Sequence, residues 1–190
     1  MKRGSTLLSG RCARACAEPA GAHLSLSFDI HITRHFSVDI MLIIRNARHD
    51  DAERIAELYK QLVSNPAVMV QPERISAISG DPNTGLFVCE LLGAVHGTAL
   101  VSLCADVMFG SQPFAVIENV VVNEAVRGHG LGEALLRHIE AFCLASNCSK
   151  MMLLSSIQRE DAHRFFERAG FVGSSKRGFV KYRSQFQVTV

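Results

Sequence analysis

Val120-Val121-Val122-Asn123-Glu124-Ala125-Val126-Arg127-Gly128-His129-Gly130-Leu131-Gly132-Glu133-Ala134 runs from an apolar strand through a glycine turn into a helix. Beyond the glycines, Leu131, Ala134, Leu135, His138, Ile139 and Phe142 recur at helical spacing. A strand, a glycine turn and an amphipathic helix in that order make an anion site. The first amides of the helix have no partner of their own, and the helix dipole favours negative charge there. Glycine lets the backbone come close to oxygen atoms without a Cβ in the way. Arg127 adds a positive charge. A tight turn with no ligand is the bland alternative, and the loop alone does not exclude it.

Two phosphate-binding patterns can be set aside. A P-loop needs Lys and Ser/Thr after its last glycine, but Glu133-Ala134 follow Gly132. The dinucleotide fingerprint needs a G-x-G-x-x-G run and an acid ending the next strand. Here the glycines fall at 128, 130 and 132, and the next strand, Met151-Met152-Leu153-Leu154-Ser155, carries no acid.

Working outward, Leu42 to Ala47 reads as a strand. Asp50 with Glu53 reads as a capping box opening a helix that carries Ile55, Ala56, Tyr59 and Leu62 on one face. Pro72 starts a second helix through Ile78. Strands follow at Leu86–Leu92, Val95–Met108 and Phe114–Val122. After the glycine helix come a strand over Lys150–Ser155, a helix opened by Glu160 and Asp161 and closed by Gly170, and a last strand over Gly178–Phe186. Antiparallel strands feeding β-α-β-α predict an α+β fold, a mixed, mostly antiparallel central sheet flanked by helices.

The chain has 190 residues, 48% of them apolar, and a net charge of +2, which favours one globular domain. Nothing in that charge or its distribution argues for nucleic acid, and no apolar run is long enough for a bilayer span. The six cysteines form no CxxC pair and no zinc-spaced cluster with histidine, so no metal is expected. Reduced, packing cysteines suit a cytoplasmic protein. Residues 1–40 read differently: Lys2, Arg3, Arg11 and Arg14 lie in an irregular, small-residue stretch, and Leu24 to Ile32 alternate like a strand. The expected division is an N-terminal extension over 1–40, with Met41 as natural start, and one domain over 41–190. A targeting arm or an extra edge strand is the rival reading.

Arg127-x-x-Gly130-x-Gly132 after Val120-Val121-Val122, with Ala162-His163-Arg164-Phe165-Phe166-Glu167-Arg168-Ala169-Gly170-Phe171 further on, resembles the acyl-CoA motif and penultimate helix of the GNAT superfamily of N-acetyltransferases. The resemblance covers about Leu42 to Phe186. It implies a GNAT-type acyl-CoA N-acyltransferase fold whose sheet is splayed between its fourth and fifth strands. It also implies acetyl-CoA as cosubstrate, its pantetheine arm on the backbone of Val120, Val121 and Val122. The pyrophosphate would then lie on Arg127, Gly128, His129, Gly130, Leu131 and Gly132. The implied reaction is direct transfer of acetyl to a primary amine of a small-molecule acceptor. Dimerisation through the C-terminal strands is common in the family, so a homodimer is an expectation.

Glu118 is the acid in the apolar run Phe114–Val122, and partial burial there would suit it as a general base. The resemblance supports that role, often through water; a rim carboxylate that binds a cationic substrate or pairs with an arginine is the other reading. For the departing thiolate, the family often places a tyrosine where Phe166 stands, and phenylalanine donates no proton. Tyr182 on the expected last strand, His163, Ser155, Ser156 and water are the candidates. His129 either touches phosphate or points into water. Gln71, Glu73, Arg74 and Asp106 are candidates to line the acceptor site. Two other classes stay open: a non-catalytic acyl-CoA-binding regulatory module, and a nucleic-acid or protein-interaction module, for which no basic stripe or aromatic platform speaks.

Overall fold

The computed structural model describes residues 41–187, so the reading of residues 1–40 lies outside the described residues. The elements are β1 (Leu42–Asn46), α1 (Ala52–Leu62), α2 (Pro72–Ser79), β2 (Thr84–Leu91), β3 (Ala94–Cys104), β4 (Phe114–Val122), α3 (Leu131–Ala145), β5 (Met151–Leu153) and α4 (Glu160–Arg168). They build one mixed sheet in the order β1-β2-β3-β4-β5. The first three pairings are antiparallel, and β4–β5 is parallel. This is the expected α+β architecture.

Strand residues alternate between faces, so each strand feeds two cores. On one face, Phe87, Ala99, Ala115 and Ile117 pack under Leu135 and Ile139 of α3 and Phe166 of α4. On the other, Leu86, Val88, Val95 and Val121 pack under Ile55 and Leu58 of α1 and Ile75 of α2. The sheet is therefore buried on both sides. That is why its strands read as near-continuous apolar runs rather than as clean alternation.

Three expectations are corrected. The N-cap of α1 is Asp51, not Asp50, and its carboxylate points away from the helix: it accepts the Arg48 N–H at 2.7 Å and takes both ends of the Arg45 guanidinium at 2.7 and 3.0 Å. β3 stops at Cys104 instead of running to Met108. Cys104 pairs with Phe114, the first residue of β4, so the residues beyond it have no strand opposite. Gly178–Phe186 forms no strand; it is irregular, with one 3-10 turn over Arg183–Gln185, and Phe179, Val180, Tyr182 and Phe186 are exposed. β5, the neighbouring edge, is only three residues long and offers little backbone on which to pair a further strand.

Candidate active site

The glycine loop is a cradle set by backbone conformation. Gly128 and Gly130 have φ of +83° and +79°, where a side chain is strained, and a Cβ on either would meet nothing within 4 Å. The space in front of the loop is thus open, and Gly130 caps α3. The first amide of the helix to be bonded is that of Ala134, to Gly130 O at 3.0 Å, so the amides of Leu131, Gly132 and Glu133 come before the ladder begins. The Leu131 side chain itself is core, 3% exposed, and only its backbone can serve the loop. Gly132 has another reason to be glycine: a Cβ there would lie 3.0 Å from the Phe165 ring of α4 and 3.5 Å from Val122. Small size at 132 lets α4 close on the start of α3.

Two side chains brace this loop. Arg127 Nε donates to Val122 O at 3.1 Å, which fixes the exposed guanidinium at the end of β4. His129 Nδ1 lies 3.2 Å from Val126 O and 3.0 Å from Arg127 O. Both partners are carbonyls, so Nδ1 carries the proton and the imidazole latches the loop. Three features fit a pyrophosphate: amides without partners, an anchored guanidinium, and a surface with room for oxygen atoms.

The strand leading into the loop is broken in one place. Ile117 packs against the α3 side of the sheet and Val121 against the α1 side, although four residues of regular strand would keep them on one face. The β3–β4 register slips between Leu100↔Glu118 and Thr98↔Val121, and Asn119 has φ +57°. A β-bulge at Asn119 accounts for all three. It places Glu118 and Asn119 side by side on the α1/α2 face, returns Val120 to the α3 face and sends Val121 into the opposite core. Glu118 is exposed, which corrects the expectation of partial burial: the bulge brings it out at the rim of the sheet.

The same strand has a free edge. β5 pairs with β4 only at Ala115, Val116 and Ile117. From Glu118 to Val122, β4 runs on without β5 beside it, and this open backbone ends at the glycine loop.

Facing the bulge is a cleft of about 320 Å³ between α1, α2 and the sheet, lined among others by Tyr59, Gln71, Arg74 and Asn119. Of the residues expected there, Gln71 and Arg74 are present, while Glu73 and Asp106 are not among its lining. Tyr59 and Asn119 were not foreseen as site residues. Burial raises the Tyr59 phenol above its ordinary range, against an opposing pull from the side chains of Asn119 and Thr98. The sequence signal for Asn119 was a polar residue breaking the apolar strand, of a type that tolerates positive φ.

Among the candidates for a proton donor, His163 Nε2 donates to Ser156 O at 2.8 Å, tying α4 to the segment after β5. Ser155, two residues past β5, has a buried Oγ with no hydrogen-bond partner among the described residues. Tyr182 is 68% exposed on the irregular C-terminal segment. Phe166 lies in the core, edge-on to Phe171.

Comparison with known proteins matches the same region. The family model described as acetyltransferase (GNAT) family fits residues 46–171. A glucosamine 6-phosphate N-acetyltransferase of Trypanosoma brucei brucei is 32% identical over 88 residues, 46% of this chain and 58% of that protein, so the match spans little more than half of the relative's length. A solved structure of a proposed acetyltransferase from Agrobacterium tumefaciens str. C58 superposes with a TM-score of 0.68 at 33% identity, over 74% of this chain and 99% of the other. The glucosamine-6-phosphate N-acetyltransferase of Arabidopsis thaliana superposes with a TM-score of 0.63 at 25% identity, over 75% of this chain and 100% of the other. No helix among the described residues is long and apolar enough to cross a membrane.

Proposed function

The chain belongs to the acetyltransferase (GNAT) family, and from that premise we propose that it transfers an acetyl group from acetyl-CoA to the primary amine of a small molecule. The observation that carries the proposal is one continuous feature. The β4 bulge at Asn119, the free edge from Glu118 to Val122 and the cradle at 127–132 follow one another along a single stretch of chain.

Acetyl-CoA would supply the thioester, an acyl group on a good leaving group. The chain's residues do the rest. Loop amides and Arg127 hold the pyrophosphate, and the free backbone of Val120, Val121 and Val122 holds the arm extended. An amide of β4, that of Val120, is the proposed donor to the acyl oxygen, the position where charge develops. Glu118, on the cleft face of the bulge, takes a proton from the incoming ammonium, directly or through one water. The amine nitrogen then forms its bond to the acyl carbon as the carbon–sulfur bond breaks. The sulfur leaves with a proton from water, since the tyrosine usual in the family is replaced by the buried Phe166. One ammonium and one thioester give one amide, one thiol and one released proton.

A non-catalytic acyl-CoA-binding module is the second reading, and Phe166 is the observation behind it. One assay separates the two: release of free thiol from acetyl-CoA across a broad amine panel. Acceptor-dependent thiol with an acetylated product supports the enzyme. Tight acetyl-CoA binding with no thiol release for any amine supports the module.

A further inference from the structure

The cleft beside the bulge has two unlike ends. At one end stand Tyr59 and Asn119, and Asn119 is the chain neighbour of Glu118 on β4, where the proposed chemistry happens. At the other, the start of α2 contributes Gln71 and Arg74. Between them the wall is apolar, built from residues such as Ile55, Ile75, Leu86 and Leu100. Among the described residues, Arg74 is the only charged one lining the cleft. It belongs to none of the ion pairs formed among the described residues, which use Arg45, Arg54, Arg137, Arg164 and His49 as cations. Asp81 feels its charge without pairing to it.

We infer that the acceptor is a small primary amine with an apolar body and one anionic group, a carboxylate or a phosphate, which Arg74 recognises. The inference rests on the acetyltransferase reading and narrows it. A guanidinium presents a planar fork that suits either anion. With the anion held at α2, the amine of an extended molecule is directed towards the bulge and Glu118. A cleft of about 320 Å³ is at the small end of ligand sites. An apolar wall offers a polyhydroxylated body few hydrogen-bond partners, and a lone arginine repels a polycation. Polyamines are disfavoured by their charge, and aminoglycoside-like acceptors on both counts.

The test is thiol release with matched acceptors that differ in the anion: 6-aminohexanoate against hexylamine, leucine against leucine methyl ester, and 6-aminohexyl phosphate against 6-aminohexanol, with spermidine as the polycation. The expected result is a kcat/KM about 10- to 100-fold higher for the anionic member of a pair, the size of a charged hydrogen bond. The responding pair tells carboxylate from phosphate. Arg74→Gln should abolish that preference by raising the KM of the anionic member, keep the affinity for acetyl-CoA, and melt with the wild type, since Arg74 is exposed. Neutral or cationic amines turned over better, or a preference that survives Arg74→Gln, would overturn the inference while leaving the enzyme reading intact. No thiol from any amine would overturn both.

Discussion

Replacing Asn119 by valine attacks the bulge on which the site depends. Asn119 sits at φ +57°. An L-residue in that region pays about 1–2 kcal/mol, and a β-branched one is a genuine outlier. Asparagine is one of the few side chains that occupy it readily. Valine also removes the amide that offsets the burial of the Tyr59 phenol, a loss of at most about 1 kcal/mol. Together Asn119→Val should cost about 2–3 kcal/mol, which lowers Tm by about 5–10 °C for a domain of this size. If the strand relieves the strain by losing the bulge, Glu118 no longer shares the cleft face with Asn119. Turnover should then fall by about 100-fold, the usual contribution of a positioned base. Asn119→Gly is the control. It keeps the backbone conformation without strain and loses only the Tyr59 contact, so stability should drop by about 1 kcal/mol and turnover by less than about tenfold. Differential scanning calorimetry and steady-state thiol release measure the two effects. If Asn119→Val melts within about 2 °C of the wild type and retains full turnover, the bulge does not have the role assigned to it.

Other positions give simpler predictions. Gly130→Ala costs about 1–2 kcal/mol through its φ of +79° and weakens coenzyme A binding, read by isothermal titration, because the new methyl enters the cradle. Ser155→Ala removes a buried hydroxyl that has no partner, so the free protein should melt at the wild-type temperature or slightly above; a clear drop in Tm would show that the hydroxyl is bonded. Burial pushes the Cys143 thiol up to about 12 and that of Cys89 up to about 11, so both stay protonated and resist iodoacetamide at pH 8 in the folded protein. Unfolding in urea should expose both, with peptide mass spectrometry as the readout.

The sequence was most informative where local chemistry decides structure. β4 and the start of α3 fall where the apolar run and the glycines place them, and Pro72 opens α2 as its fixed φ suggests. It misled where structure depends on a partner elsewhere. Phe179, Val180, Tyr182 and Phe186 look like strand residues, but strand preference is a preference for a pairing and packing environment, which a three-residue β5 does not supply. Met108 was assigned to β3 for the same reason: its composition fits, and β4 has no residue to set opposite it. The bulge left only a trace. With both faces of β4 buried, the change of side between Ile117 and Val121 makes no break in hydrophobicity, and only the polar pair Glu118-Asn119 marks it. The expected burial of Glu118 failed on that same point. Gln71 and Arg74, at the start of α2, were expected and line the cleft, whereas Tyr59 read as one more residue of the core face of α1.

Glu118, carried on the β4 bulge, is the proposed base for an amine beside an acyl donor held by the glycine loop. The most direct measurement is single-turnover thiol release from acetyl-CoA with a saturating acceptor, wild type against Glu118→Gln, alongside the affinity of each for acetyl-CoA. An equal affinity and a rate about 100-fold lower in the variant are expected. Equal rates would contradict that role.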